Sequence, residues 1–563
     1  MTFFRFSVTA LVATTLTSLS AVAAAPAGAS DYAALTAAAH AANLTTEPIA
    51  SGPFAPTWDS LKAYQIPEWF RDAKFGIWAH WGPQCQPEMG DWYARKLYTP
   101  GSTDAKTGQF KPSPINQYHI ARYGSPSQFG FKDVIPTWEA ERWDPVKLMA
   151  LYKRAGAKYF MALANHHDNL DLWDSKYQPW NSVVMGPKKD LIAGWEKAAR
   201  AQGLRFAVSV HASHSWNWYE TAQGADGDGK LTAADGKGKW WDGLDPQDLY
   251  AQSHPAGNAN WDWAYKPPAV ANDPRAPDAA YLNKFYNRTV DLINRYNPDA
   301  IYFDDTVLPM YPISDVGLKI AAHYYNRSLA THGGKLEAVI YGKHLDDLQK
   351  QCLVYDIERG KAPAILPLAW QTDTCIGDWH YRRSIYEEHH YKKSSDVIRM
   401  LVDIVSKNGN LMLNVPLRGD GTPDSDELAI LNEIGTWMDV NSQAIFATRP
   451  WKIYGEGPSI TAIHEKGSFD GLKDVAPFTA EDVRYTVSKD GRTLYALVLG
   501  VPGKQLRLTS LGSNAGLLDR EVRKVEQFGA KSVRWSREAD ALVISPAPVS
   551  AAPAAVVFKI SLK

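Results

Sequence analysis

The amino-acid sequence predicts a (β/α)8 barrel followed by a C-terminal all-β sandwich. Three observations predict it: eight short apolar runs between residues 74 and 416, amphipathic stretches between several of them, and short alternating runs without helices after residue 451. Strands that alternate with helices indicate parallel βαβ units, and eight of these units are typical of a closed barrel. A doubly wound open sheet is the alternative, but the chain contains no glycine-rich phosphate loop of the kind that fold often carries.

The predicted elements follow one another in a regular order. The eight barrel strands cover residues 74–81, 159–166, 205–211, 300–304, 336–341, 352–357, 369–375 and 411–416. Apolar side chains at helical spacing predict helices over 189–202, 279–297 and 394–407. Alternating runs at 485–488, 493–499, 505–508, 533–535, 542–544 and 556–562 predict the sandwich. We therefore divide the chain into an N-terminal segment (1–29), a barrel with insertions (30–455) and a sandwich (456–563).

The composition excludes several classes of protein. The 563 residues include 60 Lys and Arg against 61 Asp and Glu, which gives no electrostatic reason to expect nucleic acid or an anionic membrane as partner. The content of 21 Trp and 27 Tyr is high. Some of these aromatic rings belong in the core, but an excess also suits sugars, whose C–H faces stack on aromatic planes.

The N-terminal segment resembles a secretory signal peptide. A single basic residue, Arg5, precedes an apolar run and then small residues around Ala27. A membrane anchor is the alternative, but Thr and Ser dilute the run, and it falls short of the roughly 20 residues that span a bilayer. We therefore expect a periplasmic or secreted protein. In such a compartment Cys352 and Cys375 could pair and leave Cys85 free, which the sequence does not decide.

The insertion after the third strand contains a loop that is similar to a calcium site. Residues 224–235 place Gly and Asp as in the middle of an EF-hand loop. However, Gly224 stands at the first ligand position and Asp235 replaces the usual Glu at the twelfth. A solvated loop without calcium is therefore the favoured interpretation.

Carboxylates at strand ends are the first candidates for chemistry. Asp304 and Asp305 follow an apolar strand, and Glu358 follows the next strand but one. One carboxylate at such a place can attack an anomeric carbon, provided that an acid lies about 5 Å away in a retaining glycosidase, or further away in an inverting one. The alternative is that Asp305 and Glu358 are only ion-paired loop residues.

Histidines at the same strand ends permit two interpretations. His80, His166, His167 and His211 suggest a metal, but adjacent residues on a regular strand point to opposite faces, so His166 and His167 should not share one ion. The chain has no HExxH motif. Neutral imidazoles that bind sugar hydroxyls explain the cluster without a metal. We therefore expect neither a metal nor another cofactor.

Read together, a series of motifs resembles the α-L-fucosidases, family 29 of the glycoside hydrolases. The resemblance extends from about residue 65 to 455 and includes residues 69–77, 80–82, 91–93, 166–168, 172–175, 410–416, 420–422 and 448–451. It implies a barrel followed by a sandwich, a retaining mechanism without a metal, and a fucosylated oligosaccharide or glycoconjugate as substrate.

The resemblance also implies roles for individual residues. Asp304 matches the nucleophile, and Glu358 matches the acid/base best by strand order, because Gln371 stands where some relatives have Glu. The implied sugar-binding residues are His80, Asp91, Trp92, His166, His167, His211, Tyr302 and Trp379.

The sequence departs from the family pattern at three of these places. Tyr302 replaces a common Trp, Asp91 replaces a common Glu, and the stretch around His211 and His214 is unusual. The last departure keeps open a related glycosidase for another sugar of fucose-like configuration, such as an α-L-galactoside. A glycan-binding protein without catalysis is a third hypothesis, against which Asp304 and Glu358 argue.

Overall fold

The structure is a computed structural model, and it describes residues 29–223, 231–251, 254, 276–461, 478–530, 532–549 and 553–563. The predicted signal peptide lies outside the described residues except for its last position. Most of the loop that is similar to a calcium site, residues 224–230, also lies outside them. At the end of that loop, Asp235 accepts a hydrogen bond from the backbone N–H of Thr232 at 2.7 Å.

Eight parallel strands form a closed barrel, as the sequence predicts. They are β1 Phe75–Ala79, β2 Tyr159–Asn165, β3 Arg205–Val210, β4 Ala300–Phe303, β5 Val339–Gly342, β6 Val354–Asp356, β7 Trp370–Cys375 and β8 Gly409–Asn414. Each strand pairs with its neighbours in chain order, and β1 closes the ring by pairing with both β2 and β8. Side chains of β1, β2 and β8 are buried throughout, as expected where helices cover a parallel sheet.

Helices cover the outside of the barrel. The longer ones are α1 Ala29–Ala42, α2 Pro114–Tyr123, α3 Pro145–Arg154, α4 Leu191–Ala201, α5 Ala279–Tyr296, α6 Val316–Thr331, α7 Ser394–Ser406 and α8 Ser425–Asn441. Shorter α-helical turns are Trp58–Leu61, Glu68–Ala73, Tyr93–Lys96, Phe131–Val134, Ser215–Trp218, Gln247–Tyr250, Gln349–Cys352, Arg383–Glu387 and Pro458–Thr461. Asp190 and Asp278 accept backbone N–H groups at the starts of α4 and α5, which fixes where these helices begin.

Two antiparallel sheets form the C-terminal domain. Its strands are β9 Thr448–Glu456, β10 Val483–Ser488, β11 Thr493–Val498, β12 Leu506–Leu508, β13 Val522–Gln527, β14 Arg534–Arg537, β15 Leu542–Ser545 and β16 Val556–Leu562. One sheet has the order β9-β10-β11-β16-β13 and the other β12-β15-β14. The sequence does not predict β9 and β13.

The first sheet strand begins before the boundary that the sequence suggests. We expected the sandwich to start at residue 456, but β9 begins at Thr448 and pairs with β10. Trp451 and Ile453 on β9 pack against the apolar core between the two sheets. The chain therefore enters the second domain directly from α8, without a separate linker.

Two further features concern the cysteines and the membrane. Cys85, Cys352 and Cys375 are buried free thiols. Cys352 precedes β6 at one end of the barrel, whereas Cys375 closes β7 at the other, so the two cannot approach each other and the suggested pairing is wrong. Within the described ranges, no helix combines the length and apolar character needed to cross a membrane.

Candidate active site

The carboxyl ends of the barrel strands surround one cavity of about 190 Å³. Nine of the ten predicted site residues line this cavity, together with Trp78 and Asp373, which were not predicted as site residues. The nine are His80, Asp91, Trp92, His166, His211, Tyr302, Asp304, Glu358 and Trp379. The tenth, His167, contacts Asp304 from the side, with Nε2 at 3.2 Å from Oδ2.

A single lysine links the two candidate catalytic carboxylates. The Nζ of Lys343 lies 2.8 Å from Oδ1 of Asp304 and 2.5 Å from Oε2 of Glu358. These two oxygens are therefore at most 5.3 Å apart, the sum of the two contacts. Lys343 follows β5 directly, as Asp304 follows β4, so three adjacent strands bring the three side chains together. The sequence analysis missed Lys343, although its place directly after an apolar strand was the same signal that identified Asp304.

The turns that follow these strands are tight. The non-glycine residues with left-handed backbone angles include Trp92 with φ 64°, His344 with φ 52° and Arg359 with φ 49°. His344 and Arg359 directly follow Lys343 and Glu358, and Trp92 itself lines the cavity. This conformation costs roughly 1–2 kcal/mol for a residue with a side chain. Such strain is concentrated at functional sites, where surrounding contacts hold it in place.

The two carboxyl groups have opposite protonation preferences. Burial alone would raise the pKa of Asp304, but Lys343, His167 and His211 outweigh it and hold the pKa well below its ordinary value. Burial raises the pKa of Glu358 to about 7, with Asp373 and Asp304 adding to the effect and Lys343 opposing it. Asp304 is thus ionised near neutral pH while Glu358 can carry a proton, which is the pairing that glycosyl transfer needs.

Asp305 does not belong to the cavity lining. Its carboxylate accepts a hydrogen bond from Ser213 at 2.5 Å and lies 3.6 Å from Nε2 of His214. Burial raises the pKa of Asp305 to about 8. The structure therefore assigns the two adjacent acids to different places, Asp304 to the cavity and Asp305 to the turn around Ser213.

A wall of buried histidines faces the carboxylates. Burial, followed by the neighbouring imidazoles, lowers the pKa of His80 and of His166 well below the usual value, and burial lowers that of His211 to about 4. Neither ring nitrogen of His80 makes a close hydrogen bond within the described part of the chain, whereas His211 lies with Nδ1 at 3.3 Å from Oδ2 of Asp304 and has no such partner for Nε2 there. Neutral imidazoles with open nitrogens can both donate to and accept from sugar hydroxyls.

Other side chains fix the orientation of this wall. Gln84 donates from Nε2 to Nδ1 of His166 at 2.8 Å, so the proton of the neutral His166 ring lies on Nε2. The Nδ1 of His380 lies 2.6 Å from Oδ1 of Asp91. Trp379 lies against His80 and Trp78, with ring centroids 5.6 and 5.7 Å apart. It forms an aromatic wall in the same cavity.

One argument from the sequence about metal ligands is wrong. We expected His166 and His167 to point to opposite faces of a strand, but β2 ends at Asn165, so both rings lie beyond the regular pleat with centroids 4.3 Å apart. Ligand atoms of His166, His167 and His211 lie within 4.8 Å of one another, as do those of His80, Asp91, His166 and His380. These groups are the residues that could hold a metal; the expectation that none is needed stays a prediction.

Two carboxyl groups held this close at the mouth of a barrel, with opposite protonation preferences, are typical of glycoside hydrolases, and the comparisons with known proteins assign the chain to this class of enzyme. The family model described as alpha-L-fucosidase matches residues 41–443. The plasma alpha-L-fucosidase of Homo sapiens is 26% identical over 409 residues, which cover 71% of this chain and 73% of the human one. An alpha-L-fucosidase of Branchiostoma floridae is 27% identical over 456 residues, or 80% and 84% of the two chains.

Solved structures show the same fold. The alpha-fucosidase of Thermotoga maritima in complex with fucose has a TM-score of 0.63 at 24% identity, covering 90% of this chain and all of the other. The chain belongs to the alpha-L-fucosidase family, because the family model spans most of its length. It is therefore an O-glycosyl hydrolase whose family acts on fucosyl residues.

Proposed function

We propose that this enzyme removes terminal α-L-fucosyl residues with net retention, through a covalent glycosyl-enzyme. The carboxylate of Asp304 attacks the anomeric carbon, and the bond to the leaving oxygen breaks while Glu358 gives that oxygen a proton. In the second step Glu358 takes a proton from water, the water oxygen bonds to the anomeric carbon, and the bond to Asp304 breaks.

The bridge that Lys343 makes between the two carboxylates is the observation that supports this proposal. Carboxyl groups about 5–5.5 Å apart favour a retaining mechanism, whereas inverting enzymes keep roughly 6.5–9.5 Å for a water molecule. An upper limit of 5.3 Å between the bridged oxygens agrees with retention. The same lysine contributes to the low pKa of Asp304, which keeps the nucleophile ionised.

The cavity also suits a 6-deoxy sugar. Its volume of about 190 Å³ suits a single sugar ring, and the neutral histidines can bond several hydroxyls. Trp379 and Trp78 offer apolar surface to a methyl group, which is worth roughly 1 kcal/mol for one buried carbon. A sugar with a hydroxymethyl group in place of this methyl would leave its 6-hydroxyl without a partner against the indole rings.

The order of product formation tests the proposal. In an NMR experiment with a synthetic aryl α-L-fucoside, we expect α-L-fucose to form first and the β anomer to grow only by mutarotation. If β-L-fucose forms first, the mechanism inverts, and Asp304 is not a covalent nucleophile. The matched aryl α-L-galactoside is the comparison substrate, and a higher kcat/KM on it would assign the enzyme to the 6-hydroxylated sugar instead.

Export is part of the same proposal. The support is the N-terminal pattern of one basic residue, an apolar run and small residues before position 30. Cell fractionation of the full-length protein should find activity outside the cytoplasm, with the mature N-terminus near residue 30. Activity confined to the cytoplasm, with Met1 or Thr2 intact at the N-terminus, would contradict export.

A further inference from the structure

His380 is a buried histidine beside the catalytic cavity that the sequence analysis did not single out. It lies in the segment after β7, while Asp91 lies in the segment after β1, and these two strands flank β8 in the barrel. Nδ1 of His380 is 2.6 Å from Oδ1 of Asp91. The side chain of His380 is 0% exposed, whereas that of Asp91 is 17% exposed and lines the cavity. His380 thus stands one layer behind the cavity wall.

The hydrogen bond between these two side chains has one direction. A carboxylate can only accept, so Nδ1 of His380 carries a proton and donates it to Oδ1 of Asp91. A hydrogen bond to an ionised acceptor is short and stronger than one between two neutral groups, which agrees with the distance of 2.6 Å. Because His380 engages Oδ1, the second oxygen of Asp91, Oδ2, is the one left for a ligand in the cavity.

Further contacts hold the ring of His380 in place. Its centroid lies 4.7 Å from that of His80 and 4.7 Å from that of His166, and the rings meet edge to face at 89° and 83°. A different rotamer of His380 would have to displace both rings. The backbone N–H of Gly90 donates to the carbonyl of Tyr381 at 3.0 Å, which ties the segment after β1 to the segment after β7. His380 is therefore fixed well enough to orient a binding group.

We propose that His380 is a positioning residue for sugar binding: it holds Oδ1 of Asp91 so that Oδ2 accepts a hydrogen bond from a hydroxyl of the bound sugar. A carboxylate that is already oriented in the free enzyme loses less conformational freedom when the ligand binds, so the affinity is higher. This inference rests on the proposed function, in which Asp91 binds the sugar, and it adds a residue that acts through Asp91.

A double-mutant cycle tests whether His380 acts through Asp91. The variants are His380→Leu, Asp91→Ala and the two combined, and the probe is an iminosugar of fucose configuration, titrated calorimetrically into each protein. We expect each single variant to bind the iminosugar roughly 10-fold or more weakly than wild type. Once Asp91 is replaced, His380→Leu should change the affinity by less than about 3-fold, because His380 then has no carboxylate to hold.

The opposite patterns overturn the proposal. If the losses of affinity multiply in the combined variant, His380 affects binding by a route other than Asp91. If His380→Leu binds as tightly as wild type, the support is not needed. The conservative variant His380→Asn keeps a donating N–H near the position of Nδ1 and should bind within roughly 3-fold of wild type. A loss in His380→Asn as large as in His380→Leu contradicts the proposal, and His380→Asn keeps it testable should His380→Leu fail to fold.

Kinetics separate this role from a part in proton transfer. His380→Leu should lower kcat/KM on aryl α-L-fucosides by the same factor for good and poor leaving groups, because the proposed contact is with the sugar. A loss confined to poor leaving groups overturns the proposal. The matched control is His389→Leu, since Nδ1 of His389 lies 2.6 Å from Oδ2 of Asp426 but the side chain of His389 is 76% exposed. This control should bind the iminosugar like wild type, and an equal loss would contradict a special role of His380.

Failure of this inference is distinguishable from failure of the proposed function. Turnover of an aryl α-L-fucoside by wild type tests the function, while the cycle of iminosugar affinities tests His380. An enzyme that binds the iminosugar without hydrolysing the fucoside refutes the reaction and leaves the comparison of His380 and Asp91 valid. Absence of any binding by wild type overturns both.

Discussion

Charged side chains are buried at two places in this molecule, the mouth of the barrel and the contact between the barrel and the C-terminal sheets. At the contact, Asp403 on α7 accepts hydrogen bonds from Arg484 of β10 at 2.6 Å and from Lys407 at 2.9 Å. Arg484 also donates to Ser459 at 2.7 Å. Burial would raise the pKa of Asp403, but Lys407 and Arg484 outweigh it and lower the pKa. This cluster holds the two domains together with its charges paired inside the protein.

At the barrel mouth the same kinds of group are left incomplete. Among the described residues, both ring nitrogens of His80 and Nε2 of His211 keep no close hydrogen-bond partner in the cavity wall. Leaving a buried polar group without a partner costs roughly 1–3 kcal/mol. We infer from this comparison that the charge cluster between the domains stabilises the fold, whereas the open ring nitrogens in the cavity are available to a ligand.

Removing Asp304, the proposed nucleophile, should have the largest effect. Asp304→Ala should lower kcat on an aryl α-L-fucoside by roughly 10³-fold or more, because the carboxylate proposed to attack the anomeric carbon is lost. Azide should restore part of the rate and yield β-L-fucosyl azide, the inverted product. Iminosugar binding checks that the variant is folded. Wild-type kcat in this variant would remove Asp304 from the mechanism.

Removing the acid/base should depend on the leaving group. Glu358→Ala should lower kcat/KM by roughly 10²–10⁴-fold for a poor leaving group and far less for a good one, which needs no proton. Azide should intercept the glycosyl-enzyme and give α-L-fucosyl azide, the retained product. A uniform loss across leaving groups, with no effect of azide, would assign the acid to another residue.

Breaking the charge cluster between the domains should affect stability but not catalysis. Arg484→Met removes a partner from the buried Asp403 and should lower the free energy of unfolding by about 3 kcal/mol, with kcat unchanged. The matched control is Arg507→Met, since Arg507 pairs at the surface with Glu538 and Asp540 and its replacement should change the free energy of unfolding far less. Urea unfolding measures both variants; equal losses would show that the buried cluster has no special structural role.

Replacing Lys343, which contacts both Asp304 and Glu358, should shift the pH dependence of kcat/KM. This is the smallest of the expected effects. Lys343 lowers the pKa of both Asp304 and Glu358. Activity needs ionised Asp304 and protonated Glu358, so Lys343→Met should move both the acidic and the basic limb of kcat/KM to higher pH, by roughly 1 unit. Lys350→Met, a surface lysine paired with Asp347, is the control and should leave the profile unchanged. If the two limbs of the kcat/KM profile stay in place or move to lower pH, Lys343 does not lower the pKa of Asp304 and Glu358.

Most of the barrel strands are predictable because they are short apolar runs, although β7 contains four polar residues, and all eight occur where the sequence suggests. Strands β9 and β13 are not predictable in the same way. β9 is mostly half-exposed and contains Pro450, and β13 carries Arg523, Lys524 and Glu526 on its exposed side. A strand that buries only one weakly apolar face in a small sandwich shows little regular alternation of apolar and polar residues in its sequence.

The sequence by itself determined the order of strands and helices, the family and the set of polar residues at the strand ends, since local apolar patterns and motifs are written along the chain. Only the tertiary structure decided how these residues meet. It placed Asp304 in the cavity and Asp305 outside it, set one lysine between two carboxylates, and brought Asp373 of β7 beside Asp356 of β6. Protonation states follow from burial and from neighbours distant in sequence, so they arise only when the barrel closes.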